Sequence, residues 1–132
     1  MKILFTCFLA WLVAQVTKVL LSVLNKEYTK DRLTGTGGMP SSHSATVIAL
    51  LTSVGIHEGM HSTCFVITCI FAFIVIYDAL NLRYQCGLHA KAINQINRQL
   101  QIPTELNEKL GHKFNEVLVG SIVGFIVAMI VH

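Results

Sequence analysis

Four apolar runs fill most of this chain and leave few folds open to it. They are Ile3 to Leu24, Ser44 to Ile56, Cys64 to Leu80 and Val117 to Val131. The first is long enough to cross a hydrocarbon layer of about 30 Å. The other three fall short of the usual ~20 residues unless each gains a turn from its flanks. Only 13% of the residues are charged, against about 25% in a soluble domain. The sequence therefore predicts an all-α integral membrane bundle of about four transmembrane helices, a single domain over residues 1–132. Lys2 ahead of Ile3–Ala14 also has the look of a signal peptide. The apolar pattern continues to Leu24 with no clear small-residue cleavage site, which favours a retained helix.

The charges that remain set an orientation. Lys26, Lys30 and Arg32 lie between the first two runs. Arg83, Lys91, Arg98, Lys109 and Lys113 lie between the third and fourth. Basic loops stay in the cytoplasm, so both should face inward, with the two termini outside. A net charge of +3 with no basic, aromatic-interleaved helix gives no reason to expect nucleic acid. Cys7, Cys64, Cys69 and Cys86 form no Cys-x-x-Cys pair and read as small buried hydrophobes. From Leu88 to Leu100, apolar residues recur at helical spacing among polar ones. This predicts an amphipathic helix at the membrane surface or against the bundle. After Pro103, Thr104–Glu108 looks like the capped start of another short helix.

One polar stretch interrupts this pattern with chemistry. Gly37-Gly38-Met39-Pro40-Ser41-Ser42-His43-Ser44 joins a turn to a helix start. Glycines permit the turn, and proline suits the first helical position. Hydroxyls and unpaired N–H groups at a helix N-terminus bind anions, phosphate above all. His43 stands beside them as a proton donor. Gly38, Ser41 and Ser42 are thus candidate phosphate contacts. In the first run Lys18 shares a face with Gln15. It either reaches out to the membrane surface or turns inward as a cation near a bound anion. Asp78 and Arg83 close the third run, as an interfacial ion pair or with Arg83 as a phosphate clamp. His112 and Glu116 are four apart, so one helix face stacks them. A carboxylate there can orient the imidazole, and an oriented histidine can attack phosphorus. Gly120 and Gly124 form a small-residue packing face. A competing motif, His57-Glu58-Gly59-Met60-His61, matches the H-E-x-x-H zinc pattern and needs a helix through all five residues. Gly59 disfavours that helix, and His132 is the candidate third ligand on that side.

Pro40-Ser41-Ser42-His43, with His112-x-x-x-Glu116-Val117 and Gly120 far downstream, resembles the type-2 phosphatidic acid phosphatase and vanadium haloperoxidase superfamily. The segment from Gly35 to Ala45 is most similar to its short, divergent bacterial and plant branch. Ala14-Gln15 with Lys18, Tyr77-Asp78-Ala79, Arg83 and Gly111-His112 add to that likeness. The resemblance implies a lipid phosphate phosphatase needing no metal or cofactor, in a bacterial inner membrane, with its site facing the cytoplasm. His43 would protonate the leaving alkoxide, His112 would form a phosphohistidine, and Glu116 would replace the orienting aspartate. Ser41, Ser42 and neighbouring N–H groups would hold the phosphate.

Three departures accompany the resemblance. The superfamily's lysine-to-arginine motif before the Pro-Ser-Gly-His stretch is missing, so Lys18, Arg32 or Arg83 would take its place. Ser42 stands where glycine is usual. Four spans replace six, and a homodimer would be one way to complete the fold. Arg83-x5-His89 also fits a family spacing, but no carboxylate follows His89 at the required distance. Phosphatidylglycerol phosphate and isoprenoid phosphates both fit as substrates. The alternatives are a non-catalytic binder or transporter of phosphorylated lipid and, third, the zinc protease.

Overall fold

The computed structural model describes residues 1–24, 38–108 and 110–132. The loop carrying Lys26, Lys30, Arg32 and Gly35–Gly37 lies outside the described residues, as does Lys109. The described residues are helical throughout their regular structure. Helix α1 is Lys2–Leu24, α2 is Ser42–Glu58, and α3 is Thr63–Tyr77. A π-helical turn at Asp78–Leu82 leads directly into α4, Arg83–Gln99, and α5 is Phe114–Val131. Helix α2 sits at the centre, packed against α1, α3 and α5, and α1 also meets α5.

Small residues at every fourth position explain this packing. The buried face of α1 is Thr6, Ala10, Ala14, Lys18 and Ser22. Ala45, Ala49 and Ser53 make a matching stripe on α2, and Gly120, Gly124 and Ala128 make one on α5. Lipid tails are as apolar as leucine, so helices in a bilayer associate through close van der Waals contact between such stripes. The α2–α5 contact is the tightest. A Cβ on Gly120 would strike the Ser41 carbonyl, and one on Gly124 the Ala45 carbonyl. Larger apolar side chains, such as Leu4, Phe8, Ile70, Phe73, Phe125 and Ile130, point outward, as a lipid-facing surface requires. Helix α1 is therefore an integral part of the bundle.

Among the described residues, three helices are long and apolar enough to cross a membrane: Lys2–Leu24, the continuous Thr63–Gln99, and Phe114–Val131. Helix α2 has 17 residues, about 25 Å at 1.5 Å per residue. The chain is thus an all-α membrane bundle, with four spans as an approximate count.

Several expectations are corrected. The amphipathic stretch is not a separate surface helix. It continues α3 through the π-turn, giving a 37-residue helix of about 55 Å, well beyond the ~30 Å membrane core. Thr104–Glu108 is not helical. The buried Asn94 side chain accepts the Leu106 N–H (2.8 Å) and donates to the Leu106 carbonyl (2.8 Å) and Glu108 Oε1 (2.9 Å). Those bonds hold the segment extended along α4. Nor are the cysteines uniformly buried. Cys64 and Cys69 are exposed, because α3 presents only one narrow face to its neighbours and buries only Ala72.

Candidate active site

The site assembles at one end of the bundle, where two helix N-termini meet. Ser41 caps α2: its Oγ accepts the Ser44 N–H (3.3 Å) and the Ser44 hydroxyl (3.1 Å). Both lone pairs of that oxygen are then occupied, and its own proton remains as a donor. Ser41 also donates its backbone N–H to the Glu116 carbonyl, at 3.0 Å. This bond staples the start of α2 to the first turn of α5. It is possible because Gly120 and Gly124 let the two backbones approach.

That approach carries the histidines together. The His43 and His112 rings lie 5.9 Å apart, centre to centre, inclined at 63°. His112 Nδ1 lies 3.0 Å from Glu116 Oε2. The same carboxylate oxygen accepts the Lys113 N–H at 3.2 Å, the reach-back half of a capping box. The Gly38 N–H also bonds to this carboxylate. A carboxylate so placed holds Nδ1 as the donor and leaves the lone pair on Nε2. The His112 side chain is fully buried. Its Nε2 and the His43 Nδ1 are buried without a hydrogen-bond partner among the described residues. Such a nitrogen left bare costs about 1–3 kcal/mol, so in native proteins a ligand, an ion or a buried water commonly meets it.

The charged groups gather around this pair. Arg83, Lys18 and Asp78 all lie within electrostatic range of His43. Lys18 is 3% exposed, and its stem lies against Gly38. It does not reach for the membrane surface, because it occupies the inner stripe one helical turn past Ala14. Arg83 donates from Nε to Asp78 Oδ2 at 2.8 Å, with both side chains about a third exposed. Asp78 therefore holds the guanidinium, and Arg83 has four further N–H donors for an anion. Ser42 is buried at the first position of α2.

The nine residues singled out as the phosphate site thus fall at one end of the bundle. Gly38 and Asp78 serve other members of the group, Glu116 and Arg83. His89 is exposed on α4, away from this cluster. Two contributions escaped the sequence reading. Gly120 and Gly124 read only as packing residues, yet their spacing brings the two histidine motifs together. The Ala79 carbonyl, which accepts the His112 backbone N–H at 3.0 Å, had no side-chain signature.

Comparison with known sequences identifies the family. Residues 1–127 match the model of the Divergent PAP2 family. The chain belongs to the Divergent PAP2 family. It is also 34% identical over 134 aligned residues to an uncharacterized membrane protein of Bacillus subtilis (strain 168), YuiD, covering 89% of this chain and 85% of that one. No solved structure matches the chain.

The zinc motif is differently placed. Helix α2 stops at Glu58, and Gly59 takes φ +81°, so no helix carries His57 and His61 on one face. His57 pairs instead with His132 at the opposite end of the bundle from His43. Among the described residues no group of three or more histidine, cysteine or acidic side chains is arranged to hold a metal.

Proposed function

We propose that this Divergent PAP2 family member is a membrane phosphatase that hydrolyses a phosphorylated lipid through a phosphohistidine. The observation that carries this reading is His112: fully buried, tied through Nδ1 to Glu116, with Nε2 beside His43 and unpartnered among the described residues. Membership of the family and the apolar helices support a phosphatase working from within a membrane.

In this mechanism the His112 Nε2 lone pair attacks phosphorus, and the P–O bond to the lipid breaks. His43, entering as the imidazolium, gives its proton to the departing oxygen. The negative charge of the bound phosphate favours that protonated form. Water then attacks the phosphohistidine, His43 takes up a water proton, and inorganic phosphate leaves with His112 restored. Arg83, Lys18 and the N–H groups opening α2 stabilise charge that grows on the phosphoryl oxygens, where fixed donors lower a barrier most. Each step is carried by this chain's own residues.

The site lies at the bundle end that carries Arg83, Lys91, Arg98 and Lys113, which supports a cytoplasmic orientation. Phosphatidylglycerol phosphate and isoprenoid phosphates both suit a headgroup site at that depth. The test is phosphate release from a panel of lipid phosphates by wild type, His112→Ala and His43→Ala. Loss in both variants and a trapped phosphohistidine on wild type are expected. Equal release by all three proteins would sink the assignment. Lipid phosphate bound by His112→Ala, with no release by wild type, would leave a binding protein.

A further inference from the structure

The π-turn at Asp78–Leu82 interrupts a 37-residue helix beside the histidines. In an α-helix the Arg83 N–H would bond to the carbonyl four residues back, that of Ala79. Here it bonds five back, to Asp78. The Ala79 carbonyl instead accepts the backbone N–H of His112, at 3.0 Å. π-Bulges of this kind occur frequently at functional sites.

The chain before α5 is shaped to reach that carbonyl. Gly111 adopts φ +87°, and a Cβ there would run into the backbone of Tyr84 and Arg83. A Cβ on Gly87 would lie 2.9 Å from the Glu108 carbonyl and 3.1 Å from that of Leu110. Glycine on both partners therefore lets the strand before His112 lie directly on the helix backbone. The turn also aligns the guanidinium. Residues five apart on an α-helix point about 140° away from each other. The wider turn brings Asp78 and Arg83 to a 2.8 Å contact.

We propose that this π-turn is a positioning device for the reacting histidine: by freeing the Ala79 carbonyl from the helix ladder, it anchors His112 through its backbone while Arg83 stays beside the same phosphate. The role assigned to His112 rests on the phosphatase reading above; the anchor itself does not.

Deleting Asn81, an exposed residue of the turn, tests the device. The deletion leaves Asp78 and Arg83 four apart, still on one helix face. It places the Tyr84 N–H four residues from Ala79, so the α-ladder recaptures the carbonyl. Two readouts in detergent micelles decide. The first is amide hydrogen exchange at His112, which should become at least tenfold faster in the deletion variant, with helix content unchanged. The second is steady-state hydrolysis of a lipid phosphate. There kcat should fall by roughly a hundred-fold, the effect of about an ångström of misplacement, while KM stays within about threefold because Arg83 is retained.

Unchanged His112 exchange, or an unchanged kcat in an enzyme active as wild type, would overturn the proposal. If wild type releases no phosphate, the phosphatase reading fails and the exchange measurement alone settles the anchor. If the deletion variant does not fold, Gly111→Ala strains the same contact from the other partner. It should give the same faster exchange, and protection equal to wild type there would also overturn the proposal.

Discussion

Helix α2 and the residues flanking α5 set a histidine pair at each end of the bundle, and the two pairs differ in what is left over. At one end His57 Nε2 lies 3.0 Å from His132 Nδ1, and His132 Nε2 lies 3.2 Å from the Thr6 hydroxyl. Those nitrogens have found neighbours, and His57 is exposed. At the other end the rings of His43 and His112 stand 5.9 Å apart, and each retains a buried nitrogen with no partner among the described residues. Glu116 orients one of them, and Arg83, Lys18 and Asp78 surround the other. The same residue type thus makes a satisfied clasp in one place and an unsatisfied, charged recess in the other. Among the described residues, only the second arrangement leaves buried ring nitrogens without a partner.

The most severe way to break this contrast is to remove one ring from each pair. His112→Ala should lower the rate of phosphate release by on the order of a thousand-fold or more, since it deletes the proposed nucleophile. His57→Ala should leave the rate within about twofold of wild type, because a satisfied pair far from the chemistry contributes only local packing. Comparable losses in the two variants would mean that the pairs are not functionally distinct.

Glu116→Gln asks how much of the contrast lies in orientation. The amide keeps the size of the side chain but removes the charge that three donors share. We expect a rate loss of roughly a hundred-fold, of the size that small misplacements of a reacting group produce, with the fold intact by circular dichroism. Retained activity would show that His112 is held by its backbone anchor alone.

The sequence made much of this end of the molecule legible. His112 and Glu116 do meet, as their spacing suggested, but not on one helix face: α5 begins at Phe114 with Lys113 as its N-cap, and the Glu116 side chain turns back to His112 ahead of the helix. Likewise Ser41–His43 opens α2 as expected, but Pro40 lies before the Ser41 cap rather than in the first turn. Lys18 was readable too, since it continues the four-residue rhythm of Ala10 and Ala14, but pairing it with Gln15 left its direction open. The convergence of the two motifs depends on Gly120 and Gly124 meeting the carbonyls of Ser41 and Ala45, a contact between segments some 80 residues apart. No local pattern encodes that partner choice. The π-turn was hidden for a related reason: Asp78–Leu82 has ordinary helical composition, and its extra residue shows only when the hydrogen bonds are traced. Thr104–Glu108 misled because its capping signal is local, whereas the Asn94 side chain that holds it extended comes from another helix.

Gly124 lies between the two histidine pairs, so it tests what spaces them both. Gly124→Ala places a methyl group against the Ala45 carbonyl. Overpacking of this kind destabilises by about 1–3 kcal/mol, and more where the backbone must move. Thermal melting in micelles should show the loss. Because α2 and α5 would separate along their length, phosphate release should fall along with stability. A variant as stable and as active as wild type would show that this contact does not set the spacing.

The smallest effect belongs to the satisfied pair, and it concerns pH. The His132 pKa lies below the ordinary imidazole value, first through desolvation and then through the charges of His57 and Lys2. A base whose folded pKa is depressed takes up its proton more readily in the unfolded chain. Its contribution to stability is therefore whole above about pH 6.5 and is lost as the pH falls through the lower, folded pKa. Melting temperature should accordingly decline by a few degrees at most between about pH 7.5 and about pH 5, as expected for a group so near the surface. Other groups contribute to the slope, so the decisive quantity is the difference between wild type and His57→Gln. That variant removes one partner's charge and should flatten part of the slope. Parallel slopes in the two proteins would mean that the clasp does not sense protons, and that its imidazoles act as packing groups alone.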